Sequence, residues 1–242
     1  MPKRILTVFA HPDDESFGPA GLLARYATGG AWLGGLWLTR GEVGESVVDH
    51  APSPDELAAI RERDLRDAAA VIGYAEVDLR SFPDGGLADL PPGDLERTIV
   101  EAIEQSRPNV VLTFGPGGIS GHGDHIALSA AVTSVFHSLR QTQTGLSELY
   151  YNAVAADIAR ERNLEGLPDG NPNTFIDVAE YVLAHREALA CHARHMADAR
   201  EMLARLDQQP RAIATLYRAW PPVPDGQRIS GFLEVPSPVG SD

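Results

Sequence analysis

Arg4-Ile5-Leu6-Thr7-Val8-Phe9-Ala10-His11-Pro12-Asp13-Asp14-Glu15 decides how the rest of the chain is read. Residues 4–10 form a short apolar run without helical period, which predicts a buried strand. Pro12 stops it, and three consecutive acids follow. Similar runs at 31–39, 77–82, 110–114 and 149–155 predict four more strands. Between them, helices are expected over 19–28, 54–72, 95–105 and 126–139. Ser53 is a good N-cap for the second of these, Pro54 suits its first turn and Gly73 its end. Strands alternating with helices imply parallel strands joined by right-handed crossovers. The expected fold is therefore α/β: a Rossmann-like open, mostly parallel sheet flanked by helices.

The remainder reads as a C-terminal helix and strand elaboration. A short strand is expected at 174–178, one long helix at 179–206 and a last strand at 229–234, with long loops at 165–173 and 221–226. There is no internal repeat or low-complexity segment. The 242 residues read as one domain, with a core over about 1–156 and an elaboration over about 157–242.

In an open sheet of order 3-2-1-4-5, strands 1 and 4 are neighbours where the strand order reverses, and ligands bind beyond their carboxyl ends. The two segments richest in reactive side chains follow those strands. His11–Glu15 follows strand 1, and Gly121-His122-Gly123-Asp124-His125 follows strand 4 behind Gly115-Pro116-Gly117-Gly118. Imidazole and carboxylate are good ligands for a zinc-like ion. His11 and Asp14 can face one point in a turn. Asp13 between them is displaced from that direction, and a carboxylate beside an activated water suits a general base. One histidine of the second segment could complete three protein ligands, and the other could serve a developing oxyanion. Taken singly, the first segment equally fits an acidic helix start and the second a pair of solvated histidines. Their convergence at one sheet edge favours a metal site.

Charge and cysteine content narrow the class. Twenty Lys and Arg against 34 Asp and Glu give a formal net charge of −14. That argues against a nucleic-acid or anionic-membrane partner, which needs clustered basic residues. The lone Cys191 excludes an internal disulfide and Cys-rich zinc modules. No signal peptide or long apolar span is evident, so a cytoplasmic enzyme is expected. The glycine-rich segment after strand 4 lacks the GK[ST] ending of a phosphate loop, and strand 1 lacks G-x-G-x-x-G. Neither Ser16 nor Ser120 sits in a G-x-S-x-G elbow, which disfavours a serine hydrolase.

The strand ending in Ala10-His11-Pro12-Asp13-Asp14-Glu15 resembles the first signature of the LmbE-like/PIG-L zinc-dependent N-deacetylases. Thr113-Phe114-Gly115-Pro116 through Gly121-His122-Gly123-Asp124-His125 resembles the second. The resemblance covers most of the chain and is weakest after about residue 160. It implies His11, Asp14 and His125 as ligands of one Zn2+ per chain, with other divalent transition metals as alternatives. It implies Asp13 as general base, His122 as a cationic oxyanion donor and Asp124 as the group that orients or charges His122. Glu42 lies in a segment, Thr39-Arg40-Gly41-Glu42, that resembles the family's loop after strand 2. Glu42, Arg61 and Asp84 are implied to meet the substrate, and Glu15 and His192 to support the site from behind. The implied reaction is removal of an acetyl group from an N-acetylated amino sugar or its conjugate. The alternatives are a deacylase of a non-sugar amide and a non-catalytic metal- or sugar-binding module. The resemblance also suggests a homo-oligomer, a trimer or hexamer.

Two positions depart from the family pattern. Gly123 replaces a proline usual there, and Ser120 stands where some thiol-cofactor pathway deacetylases carry tyrosine. His185, His192 and His195 are expected on one polar face of the C-terminal helix, not as a second metal site. The mixed-sign stretch Arg61–Asp67 is expected to be mostly a solvated face.

Overall fold

A computed structural model of the chain describes residues 2–47, 51–154, 172–210, 212–234 and 237–238. Strand β1 (Arg4–Phe9) is an inner strand of a seven-stranded sheet. It pairs in parallel with β2 (Trp32–Thr39) on one side and β4 (Val110–Phe114) on the other. Beyond them lie β3 (Glu76–Phe82) and β5 (Glu148–Asn152), also parallel. The expected 3-2-1-4-5 order therefore holds, and the carboxyl ends of β1 and β4 lie side by side.

Alternation along these strands fills two cores. Leu6, Val8, Leu36 and Val111 point to one face, under α4 (Asp94–Ser106) and α6 (Gly123–Leu139). Ile5, Leu33, Val110 and Leu112 point to the other, under α2 (Ala20–Thr28) and α3 (Pro54–Ile72). Helix α3 starts as expected: Ser53 and Glu56 form a reciprocal capping box, Pro54 opens the first turn and Gly73 closes the helix at φ 97°. Such a cap contributes about 1 kcal/mol. Helix α6 begins three residues earlier than the apolar pattern suggested, because the His122 ring caps it by accepting from Asp124 N–H.

The C-terminal part differs from expectation. The long helix breaks into α7 (Val182–Ala193) and α8 (Ala197–Gln208). The break is held by Arg200, whose guanidinium donates to the Ala193 and Arg194 carbonyls at 2.7 and 2.8 Å. Strand β7 (Ile213–Trp220) joins the sheet antiparallel to β5, and β6 (Thr174–Asp177) pairs antiparallel to β7 at the edge. Arg218 in β7 is buried and reaches Glu148 at 3.2 Å. Residues 229–234 do not form the expected strand. Ile229 makes a single bridge to Thr174, and Phe232 stacks on Tyr26 at 4.5 Å. Of the expected loop at 165–173, residues 165–171 lie outside the described residues. Among the described residues no helix is long and apolar enough to cross a membrane.

Candidate active site

The turn after β1 is built around a strained residue. Asp13 has φ 136° and ψ −26°, a region that non-glycine residues enter only when the surroundings over-determine it. Here they do. Glu15 Oε2 accepts the Asp13 N–H at 3.1 Å, and Asp14 Oδ2 accepts the His11 N–H at 2.7 Å. Arg61 Nη2 donates to Asp13 Oδ2 at 2.6 Å and to the Pro12 carbonyl at 3.2 Å. Burial pushes the Asp13 carboxyl up to about 6 against the opposing pull of Arg61.

The loop after β4 brings up the histidines. His125 lies flat on Phe114, ring centroids 3.9 Å apart, and its Nδ1 is 3.0 Å from the Gly118 carbonyl. Gly118 has φ +64°, and a Cβ there would sit 2.8 Å from that of His125. Only glycine lets the loop close this tightly over the ring.

Together the two turns focus a small set of atoms. His11 Nδ1 lies 3.1 Å from His125 Nε2. The Asp14 carboxylate lies 3.7 Å from His11 Nδ1 and 3.4 Å from His125 Nε2. The outer nitrogens fix the ring tautomers. His125 Nδ1–H donates to Gly118 O, so Nε2 presents a lone pair inward. His11 Nε2 faces Asp84 Oδ1 at 3.1 Å and Asp124 Oδ2 at 3.2 Å, so it carries the proton and Nδ1 also presents a lone pair inward. Two lone pairs 3.1 Å apart beside a carboxylate need a cation or a shared proton between them. The donor set of two imidazoles and a carboxylate, each imidazole held from behind, fits a divalent transition metal. Without an ion, a proton takes that place. Burial opposes the charge on His11, but Asp124, Asp84 and Asp14 outweigh it and carry its pKa to about 10. Burial and the His11 charge push His125 down to about 4, and burial lifts Asp14 to about 6.

Two other donor groupings are close enough to consider. A His122 ring nitrogen lies within 4.8 Å of those of His11 and His125, but His122 is exposed and brings no negative charge. His11, Asp84 and Asp124 also cluster. There both carboxylates face a ring N–H, which hydrogen bonding satisfies without an ion.

Several residues sit differently from expectation. The Asp124 carboxylate does not hydrogen-bond the His122 ring among the described residues. Its oxygens are taken by His11 and by the N–H groups of Gly85 and Leu87 at 2.8 and 2.9 Å. Accordingly burial, then His11 and His125, lower the His122 pKa, and Asp124 does not raise it above its ordinary value. Arg61 is 5% exposed and spent on Asp13, Pro12 and the Gly41 carbonyl at 3.0 Å, so it braces the turn from within. Asp84 is held by His11 and the Val43 N–H, and Glu42 accepts the Asp84 N–H at 2.9 Å. Arg61 and Asp84 thus support the centre, and Glu42 supports Asp84, in this geometry.

Behind Asp13, Glu15 and His192 are fully buried and joined at 2.7 Å. Glu15 also accepts from Ser16 Oγ at 2.6 Å and Trp37 Nε1 at 3.2 Å. The charge and hydrogen bond of His192 hold Glu15 below the carboxylate range despite burial, and Glu15 raises His192 in return. His195 meets Asp64 at 2.6 Å, and His185 meets the Ser16 carbonyl at 3.0 Å. The three C-terminal histidines therefore take three separate partners. Asp64, like Arg61, is buried, so the inner face of the Arg61–Asp67 stretch is not solvated. The role of Asp64 was missed. Its signals were a helical spacing of three from Arg61 and an acid at a position where many similar proteins carry Glu.

His11, Asp13, Asp14, His122 and His125 all line one cavity of about 600 Å3. The fold and the site define an α/β protein with a His/Asp cluster that fits a metal ion at the switch point of its sheet. The chain belongs to the PIG-L family, GlcNAc-PI de-N-acetylase, whose model matches residues 6–136, more than half of its length.

Two relatives illustrate the likeness. A probable N-acetyl-α-D-glucosaminyl L-malate deacetylase 2 of Bacillus anthracis is 31% identical over 196 residues, 81% of this chain and 82% of the relative. A 1D-myo-inositol 2-acetamido-2-deoxy-α-D-glucopyranoside deacetylase of Rhodococcus opacus (strain B4) is 31% identical over 236 residues, 79% of this chain and 81% of the relative. Among solved structures, N,N'-diacetylchitobiose deacetylase from Pyrococcus horikoshii superposes with a TM-score of 0.68 at 16% identity, covering 89% of this chain and 83% of that one. GalB, a 4-carboxy-2-hydroxymuconate hydratase from Pseudomonas putida KT2440, does so at 0.69 and 17% identity, covering 92% and 98%. These two show the fold alone, and a hydratase among them means that the fold does not choose the reaction.

Proposed function

We propose that the protein hydrolyses the acetamide of an N-acetylated amino sugar conjugate, releasing acetate and a free amine. The observation that carries this is the convergence of His11 Nδ1, His125 Nε2 and Asp14 beside the buried Asp13. The family and its named deacetylases support the reaction class. We assign His11, Asp14 and His125 as the ligands of one zinc ion. Such an ion, when bound, supplies a Lewis acid that polarises the amide carbonyl and acidifies water.

The protein's own groups do the remaining work. Asp13 lines the cavity, with Arg61 on its Oδ2. With a pKa of about 6 it is mostly ionised at neutral pH yet basic enough to accept a proton. It takes one from water as the oxygen attacks the carbonyl carbon. It then returns that proton to the nitrogen as the C–N bond breaks, so that a neutral amine leaves. His122 Nδ1 accepts the Asp124 N–H, which places the proton of a neutral ring on Nε2. His122 therefore donates to the oxyanion as a neutral imidazole, and the structural shift of its pKa supports this over a cation. Asp84 and Asp124 hold the His11 ring, and Glu15 with His192 holds the Asp13 turn. The reading extends to a single 242-residue domain, a cytoplasmic location and a trimeric or hexameric assembly. Acetate release from a panel of N-acetylated sugar conjugates, with and without a chelator, tests it. Release that needs the metal supports the proposal. Hydration of an unsaturated acid without amide cleavage would replace it.

A further inference from the structure

The cavity continues well past the candidate catalytic atoms. At about 600 Å3 it lies within the range of about 300–1,000 Å3 that encloses ligands of drug size, and it exceeds what one pyranose ring fills. Its far part is apolar. Phe17 from the turn after β1, Met202 of α8 and Ile213 of β7 form its accessible walls, backed by the buried Leu22 and Leu216. Met196 lies nearer the catalytic atoms, its Sδ accepting from Arg61 Nη2 at 3.3 Å. Ile213 stays 49% exposed there. Phe17, Met196 and Met202 pack on the small cluster of Leu189, Ala193, Ala199 and Leu206, so this wall is built rather than incidental.

The polar groups of the far part are few, and their signs matter. Asp198 and Glu201 are acidic. Arg205 is engaged by Glu201 one helical turn away. With Glu201 and Arg205 paired at the exposed rim, Asp198 is the net charge there, so a carboxylate-bearing aglycone gains no attraction. A polyol would find little to bond. Of the neutral polar side chains in the lining away from the catalytic atoms, the Thr215 hydroxyl is committed to the Ala153 carbonyl at 2.8 Å, His185 meets the Ser16 carbonyl at 3.0 Å and the Ser120 hydroxyl donates to the Gly118 carbonyl at 3.5 Å, which leaves Asn152.

We infer that the far part of this cavity is a subsite for an apolar aglycone, so that the substrate is an N-acetylated amino sugar carrying an aliphatic or aromatic group. This rests on the deacetylase reading and specifies its substrate class. The Met202 side chain suits such a group, since methionine adapts to varied apolar shapes.

The test compares the methyl and octyl glycosides of N-acetylglucosamine with its inositol and malate conjugates, by kcat/KM for acetate release. Each methylene that enters the subsite should raise kcat/KM about fourfold, and three or four of them about 100-fold. The octyl glycoside should therefore exceed the methyl by about 100-fold and also exceed both polar conjugates. A polar conjugate turned over tenfold better than the octyl glycoside overturns the inference. A parallel arm measures binding of octyl and methyl 2-amino-2-deoxyglucosides by calorimetry, which needs no turnover. Met202→Lys should weaken octyl binding about tenfold, and Ile213→Thr at the exposed strand position should weaken it in the same direction. Octyl binding that equals methyl binding, or that neither variant changes, overturns the subsite. If no glycoside yields acetate, the deacetylase reading fails, and the calorimetric comparison still decides the subsite.

Discussion

His192→Leu should destabilise the protein far more than a helix surface substitution, because it strands a buried carboxylate. Glu15 is fully buried and accepts from His192, Ser16, Trp37 and the Asp13 N–H. Removing His192 deletes the one positive partner. The other three contacts are neutral donors and stay in place. Breaking a buried pair by removing one member typically costs about 3–5 kcal/mol. Spread over a chain of this size, that is a fall in Tm of about 10 °C. The loss depends on pH. The Glu15 pKa is depressed, so its contribution is present above the ordinary 4.5 and is lost as pH falls through the folded value. The His192 pKa is raised, so its contribution is full below the ordinary 6.5 and is lost as pH rises through the folded value. The variant's deficit should be largest between pH 4.5 and 6.5. The assay is urea unfolding of wild type, His192→Leu, Glu15→Gln and the double variant across that window. Glu15→Gln keeps an acceptor for Trp37 and Asp13, so the double variant should recover part of the loss. A His192→Leu cost below about 1 kcal/mol, or strictly additive single costs, would refute the argument.

Other expectations are direct. Asp13→Asn should lower kcat about 1,000-fold while bound zinc, measured by elemental analysis, stays unchanged. His122→Ala should lower kcat about 100-fold with little change in zinc occupancy, the scale of one lost oxyanion donor. Gly118→Ala must hold φ +64° with a Cβ 2.8 Å from that of His125. It should cost about 2 kcal/mol in denaturant unfolding and weaken zinc binding, because the strain falls on the His125 ring.

The parallel sheet was legible because apolar runs and helices alternate from Arg4 to Asn152, and the runs at β1, β2, β4 and β5 are buried along nearly their whole length, as inner parallel strands require, while β3 at the edge is only half-buried; the common 3-2-1-4-5 order then holds. From that order followed the meeting of His11–Asp14 with His122–His125. The C-terminal part was not legible in the same way. No proline or glycine marks the break at Arg194–Met196, since the helix end is satisfied by the Arg200 side chain from the next helix. Strand β7 carries the buried Arg218, whose partner Glu148 lies 70 residues away, so its pattern does not read as an inner strand. Partner choice inside the site was likewise hidden. Sequence places Asp124 beside His122, but the helix start turns its carboxylate towards His11. Arg61 and Asp84 could face a sugar or the centre, and only the folded turns show Arg61 on Asp13 and Asp84 on His11.

The central claim is that the two turns hold one divalent metal ion whose use depends on Asp13. Acetate release from an N-acetylglucosaminide, followed as zinc is added back to chelator-stripped protein, tests it most directly. A rise to a plateau at one equivalent per chain is expected, with no rise for His125→Ala and a plateau about 1,000-fold lower for Asp13→Asn. Release that is full before zinc is added, or an Asp13→Asn plateau equal to wild type, would contradict it.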